Sequence, residues 1–223
     1  MRYILVTAIL FCAALTSNAQ KIKWDSTYRP GNYAERVANF RSYKDSKKDI
    51  IFLGNSITDY TDWNELLQLS NARNRGISGD ISFGVLERLD EVTAGKPAKV
   101  FILIGINDIA RNIPDTVLLN NYQRMIDRIK SASPKTKIYF NALLPVNNSF
   151  PDRNHFNKDG HIAFVNAELD KICAAEKITF INIHDPFLDT EKKLDKKYTY
   201  DGLHLNAEGY KLWAGILKRY VKK

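Results

Sequence analysis

The feature that most constrains this chain is an alternation between two kinds of segment. Short, mostly apolar runs are separated by longer stretches in which apolar residues recur every three or four positions. "DIIFLG" (49–54), "AKVFILIG" (98–105), "KIYFNALLP" (137–145) and "ITFINIH" (178–184) are runs of the first kind, and "ARNRGISG" (72–79) is a weaker one. Such runs are what strands buried on both faces require. The stretches between them read as helices. Residues 32–44 align Tyr33, Val37 and Phe40, residues 61–69 form a short helix, and residues 81–93 form one helix through Val85, Leu89 and Val92. Residues 115–131 carry the stripe Leu118, Tyr122, Met125, Ile126 and Ile129 behind Pro114. Residues 159–176 turn Ile162, Val165, Leu169, Ile172 and Cys173 inward, and residues 206–221 do so with Trp213, Ile216, Leu217 and Tyr220 behind an Asn206 cap. Strands alternating with helices demand right-handed crossovers, hence an α/β fold with a mostly parallel sheet of about five strands covered on both faces.

The first residues stand outside this pattern. "MRYILVTAILFCAALTSNAQ" has a basic start at Arg2, an apolar run from Tyr3 to Leu15 and the small ending Ser17-Asn18-Ala19. It reads as a secretory signal peptide, residues 1–19, cut after Ala19. The expected location is therefore periplasmic or extracellular. The apolar run is shorter than the roughly 20 residues of a membrane span, so no stable membrane insertion is expected. A lipid anchor on Cys12 is disfavoured by the bulky Ile9-Leu10-Phe11 before it. Residues 20–223 are expected to form a single domain, for which 223 residues at 44% hydrophobic supply enough core. Beyond the leader only Cys173 remains, so no internal disulfide can form, and its apolar surroundings mark a buried thiol.

The formal net charge is +8. The lysines are scattered and read as a solvated basic surface, with a polyanionic substrate or an anionic membrane surface as the sharper alternative. Export and the lack of a recognition motif argue against a nucleic-acid partner. No cysteine cluster can hold a metal or an iron–sulfur centre. The one conceivable ligand set is Asp59, Asp108, Asp201 and His204, and neither a metal nor any other cofactor is expected.

In an open α/β sheet, ligands bind outside the carboxyl ends of the strands. Four segments fall there: Gly54-Asn55-Ser56 after the first strand, Gly79-Asp80 after the second, Gly105-Ile106-Asn107-Asp108 after the third, and Asp201-Gly202-Leu203-His204 before the last helix. A serine hydroxyl needs a base to become a nucleophile. His204 is the candidate base, and Asp201, three residues earlier across a tight turn, is the candidate orienter. The oxyanion formed on attack needs preset donors, for which the N–H groups of Ser56 and Gly79 and the Asn107 amide are the right kinds of group. Each feature alone has a plainer reading as a cap or a turn; their coincidence at one sheet edge favours chemistry. His155, in the irregular loop 146–158, is expected to touch nothing in preference to substrate. His161 is expected at the surface, and His184-Asp185 as a structural pair. Tyr60 and Trp63 either line the site or pack, and Asp59 is assigned as a brace.

These four segments resemble the motif blocks of the SGNH hydrolases, the GDSL-type esterase superfamily. "NRGISGD" (74–80) and "DGLHLNAEGY" (201–210) are similar to the branch containing the platelet-activating-factor acetylhydrolase catalytic subunits and many bacterial acetylesterases. The resemblance spans roughly residues 49–220. It implies a three-layer α/β/α sandwich around a five-stranded parallel sheet, flavodoxin-like, and a serine esterase acting on small acyl groups carried by carbohydrates or lipids. Combined with export, it points to O-acetyl groups on a glycan. Asn55 departs from the usual Asp, at a position that is not catalytic in the family. Gly-x-Ser-x-Gly is absent, because position 58 is Thr, which argues against the ordinary α/β-hydrolase elbow. The rival readings are a lysophospholipase or thioesterase, a non-catalytic glycan-binding protein on an esterase scaffold, and a metal-dependent hydrolase.

Overall fold

The computed structural model describes residues 24–222. The expected leader, its cleavage after Ala19 and the Cys12 alternative lie outside the described residues. In chain order the elements are α1 (Tyr33–Ser42), β1 (Ile50–Gly54), α2 (Ser56–Asp59), α3 (Trp63–Leu67), β2 (Ala72–Gly76), α4 (Ser82–Glu87), α5 (Leu89–Thr93), β3 (Lys99–Leu103), α6 (Ile106–Ala110), α7 (Asp115–Ala132), β4 (Lys137–Asn141), α8 (Asp159–Ala175), β5 (Thr179–Ile181) and α9 (Ala207–Val221).

The five strands form one all-parallel sheet in the order β2-β1-β3-β4-β5. β1 and β3, buried at every position, are its centre. β2 is an edge, which explains why Arg73, Asn74 and Arg75 are tolerated in it and why its sequence signal is weak. On one face, Phe52, Phe101 and Tyr139 are register partners on β1, β3 and β4. Their rings stack at 5.2 and 4.5 Å. Trp63 of α3 lies 4.1 Å from Phe52 and meets Trp213 of α9 edge-on at 4.7 Å. Such aromatic contacts add about 0.5–1.5 kcal/mol each beyond the area they bury. α4, α5, α7 and α8 cover the opposite face, with Tyr122 of α7 against Phe140 of β4 at 5.3 Å.

Three boundaries differ from the sequence reading. The expected helix over 81–93 is two helices, broken at Arg88 (φ −104°, ψ 15°), whose fully buried guanidinium turns inward to Asp80. The expected strand 137–145 leaves the ladder after Asn141, although residues 142–147 continue buried. The segment 72–79 pairs only to Gly76, because the chain must turn there toward Gly79. The stripe on α7 is buried throughout, and on α8 and α9 the inward residues are as expected except that Ile172, Ile216 and Tyr220 are half-buried.

In this strand order the chain reverses direction across the sheet between β1 and β3, which opens a crevice at their carboxyl ends. The loops after both strands, carrying Ser56 and Asn107, flank it.

Candidate active site

β1 ends at Gly54 and turns at once into α2. The Asn55 side chain accepts from the Ile57 N–H at 3.0 Å and caps the helix. The departure from Asp at this position therefore keeps a capping oxygen. Ser56 becomes the first helical residue and is 6% exposed.

The partner segment is delivered from the far edge of the sheet. After β5 the chain runs back over residues 182–206, pinned to the end of the β4 segment by Asn147. The Asn147 N–H donates to the Gly202 carbonyl at 2.8 Å, and its side-chain amide donates to the Leu194 carbonyl at 2.8 Å. Gly202 has φ +79°, and a side chain there would strike the Asn147 carbonyl. Asp201 Oδ1 accepts from the backbone N–H groups of Leu203 (3.0 Å) and His204 (2.7 Å), a turn in which a side chain replaces backbone. This leaves Oδ2 facing the imidazole.

His204 Nδ1 lies 2.7 Å from Asp201 Oδ2, and Nε2 lies 3.0 Å from Ser56 Oγ. An ionised carboxylate only accepts, so Nδ1 carries the proton and Nε2 presents its lone pair to the serine hydroxyl. Burial works against the Asp201 charge, but the hydrogen bonds from the His204 ring and from two backbone N–H groups outweigh it and hold the carboxyl below its usual range. Arg153 Nη2 also donates to Oδ2, at 2.9 Å. The exposed rings of Tyr60 and Tyr200 lie 5.2 and 6.0 Å from the His204 ring, while Trp63 is core.

Asn107 stands in the first turn of α6. Its Nδ2 donates to the Asp80 carbonyl at 2.9 Å, and its Oδ1 lies 2.9 Å from His155 Nε2. The directions of these bonds are forced. The Asp80 carbonyl can only accept, so the amide nitrogen faces it; the amide oxygen then faces the ring, so Nε2 must carry a proton. Burial, aided by His204 and Arg153 nearby, pushes His155 down to about 4, so the ring is neutral. One N–H of Asn107 is left to point elsewhere. Gly79 (φ +81°) lines the same cleft of about 620 Å³, together with Trp24, Asn107, Arg111, Asn154 and His155. Thus Ser56, Asp201 and His204 are brought into one chain of contacts, with Gly79 and Asn107 lining the cleft. The reading of His155 as making no contact is corrected: it holds Asn107. Arg153 escaped notice as well. Both lie in a loop without periodicity and touch residues 48 positions away, so no local pattern marks them.

Behind the site lies a buried ionic chain. Arg88 contacts Asp80 at 3.1 Å and Glu91 at 3.3 Å, and Arg75 contacts Glu91 at 3.0 Å. Arg88 also donates to the Gly54 carbonyl at 3.2 Å, tying the end of β1 to the Gly79-Asp80 turn. Burial raises the Asp80 and Glu91 carboxyls, against the pull of these arginines. Asp108 accepts the Ser82 N–H at 3.1 and 3.0 Å, and burial pushes it up to about 7. Asp59 pairs with Arg36 at 2.6 Å and so braces α1. His161 pairs with Asp115 and His184 with Asp185, both outside the site. Among the described residues, no group of three or more His, Cys, Asp or Glu is placed to hold a metal ion.

A parallel sheet of this order, with serine and imidazole in contact over its central crevice, is the framework of an SGNH-type hydrolase. The sequence profile of the GDSL-like Lipase/Acylhydrolase family matches residues 52–212, and the chain belongs to that family. It is 29% identical over 196 residues to an N-acylneuraminate cytidylyltransferase of Escherichia coli, a match covering 86% of this chain but only 44% of that longer protein. It is 24% identical over 178 residues to the platelet-activating factor acetylhydrolase IB alpha2 subunit of Rattus norvegicus, covering 75% of this chain and 73% of that one. A GDSL-like lipase from Bacteroides thetaiotaomicron superposes with a TM-score of 0.75 at 27% identity, covering 86% of this chain and 97% of that one.

Proposed function

We propose that this acylhydrolase is an exported serine esterase that removes small acyl groups, chiefly O-acetyl, from carbohydrate. The observation that carries the reading is the unbroken contact chain from Ser56 Oγ through His204 to Asp201. His204 Nε2 takes the hydroxyl proton as Ser56 attacks the ester carbonyl. The N–H groups of Ser56 and Gly79 and the free N–H of Asn107 stabilise the oxyanion. The imidazolium, steadied by Asp201, protonates the departing alcohol, and water repeats the sequence on the acyl-enzyme. No cofactor takes part.

The side chains lining the cleft support a carbohydrate alcohol: asparagines 107, 112 and 154 offer hydrogen bonds beside the flat face of Trp24. The apolar recess beside Asn55, Ile57 and Leu203 measures only about 10 Å³, no more than roughly one water-sized group. It offers no channel for a long acyl chain. The leader-like start of the sequence motivates export. Among the described residues no helix is long and apolar enough to cross a membrane.

The test is the purified chain on aryl esters of increasing acyl length. Turnover should peak at acetate and vanish in Ser56→Ala, and a fluorophosphonate should add to Ser56. Full activity of Ser56→Ala overturns the mechanism, and a peak at long chains overturns the acetyl assignment.

A further inference from the structure

Asn107 and Arg111 lie four residues apart across α6, and the Arg111 N–H donates to the Asn107 carbonyl at 3.1 Å. Side chains at this spacing emerge from the same side of a helical turn, with about 5–6 Å between their Cβ atoms. Arg111 therefore reaches into the cleft beside Asn107. Its guanidinium carbon lies 3.1 Å from the centre of the Tyr28 ring. The Tyr28 hydroxyl in turn lies 3.5 Å from where a Cβ on Gly79 would stand. The cation is thus anchored on a ring that borders Gly79.

Its chemistry there differs from that of most arginines in the fold. Arg29, Arg36, Arg41, Arg75, Arg88 and Arg153 each pair with a carboxylate. Among the described residues, no carboxylate or carbonyl accepts from the Arg111 guanidinium. The carboxylate that shares the cleft, Asp25, feels the Arg111 charge without a hydrogen bond to it: its Oδ1 accepts the Thr27 N–H and hydroxyl at 2.7 and 2.6 Å. The cation–π contact with Tyr28 anchors the guanidinium without using any of its five N–H donors. Trp24 forms another wall, 37% exposed and stacked on Phe83 at 6.0 Å. It presents a flat apolar face of the kind against which a sugar ring lies.

We propose that Arg111 is a subsite for an anionic group on the alcohol part of the substrate, and that the substrate class is an O-acylated acidic sugar. The planar guanidinium fork takes its carboxylate in two parallel hydrogen bonds. The sugar lies between Trp24 and the asparagines, and its ester reaches Ser56. The inference rests on the esterase reading for the direction in which the ester points, so its test is built on binding.

Calorimetric titration of Ser56→Ala uses an O-acetylated uronic acid glycoside and its uncharged methyl ester. The free acid should bind about 10- to 100-fold more tightly, the range expected of hydrogen bonds to a charged group. Arg111→Met in the same background should erase that difference, and Arg111→Lys, which keeps the charge without the fork, should retain part of it. Thermal melting checks that each variant is folded. Equal binding of acid and methyl ester, or a preference that survives Arg111→Met, overturns the proposal. An acetylated glycerophosphate provides the phosphate arm: an Arg111-dependent preference for it, with none for the uronate, overturns the sugar-acid assignment. If unsubstituted protein hydrolyses no ester while the Arg111-dependent preference stands, the esterase reading fails and the subsite does not.

Discussion

An asparagine side chain can swap its oxygen and nitrogen by a half-turn, so an amide serving as an oxyanion donor must be held. Asn107 is held at both ends, by a carbonyl that only accepts and by a neutral imidazole that donates. His155→Leu removes the donor and frees the amide. On an aryl acetate, kcat should fall about 10-fold, less than the ~10²–10³-fold typical of losing an oxyanion donor outright. His155→Gln, which retains an N–H, should recover part of the loss. In an Asn107→Ala background the leucine should cost little more, because no amide remains to be oriented; additive losses in that double-mutant cycle would rule out action through Asn107. His155 illustrates what the sequence could not display. Ser56, Gly79, Asn107, Asp201 and His204 each sit in a short motif at a strand or helix end, where backbone direction predicts their placement. His155 and Arg153 gain meaning only from residues far along the chain.

At the scale of elements, the break between α4 and α5 follows from charge burial. Val85, Leu89 and Val92 are buried as their spacing predicts. Arg88, between them, is fully buried too, since it joins Asp80, Glu91 and the Gly54 carbonyl. Hydrophobic periodicity does not register a buried cation whose partner stands eight residues earlier, so the break was not legible. Arg88→Met should cost about 3–5 kcal/mol of stability in urea unfolding, because Asp80 and Glu91 are left buried without it. A loss under 1 kcal/mol would mean that water or rearrangement replaces the pairing. The segment ahead of α1 contributes to the site without any regular element of its own. Trp24 and Tyr28 carry no helical or strand pattern, yet Trp24 lines the cleft and Tyr28 carries the Arg111 guanidinium.

For the whole molecule, the alternation of apolar runs and amphipathic stretches was enough to read a five-stranded α/β sandwich, because strands buried on both faces leave a continuous apolar record. The molecule's response to pH depends on contacts that such a record omits. Burial holds Asp108 at about 7 in the folded protein, although Ser82 donates to it. Its unfolded value is about 3.9, so the folded state binds the proton more strongly. This group's contribution to stability is complete below about pH 4 and is lost as pH rises through 7. Asp108→Asn removes the titration. The fall in melting temperature from pH 4 to pH 7 should therefore be shallower in the variant than in the unsubstituted protein, and parallel curves would contradict the assignment.

The long return from β5 sets when the chemistry can begin. Ser56 and His204 are separated by 148 positions, and Tyr210, at the start of α9, locks the late segment to the Ile57 carbonyl at 2.9 Å. Until that late segment folds back, the Ser56 hydroxyl lacks the imidazole proposed to take its proton. A chain whose synthesis has not yet reached residue 204 carries the proposed nucleophile without its base.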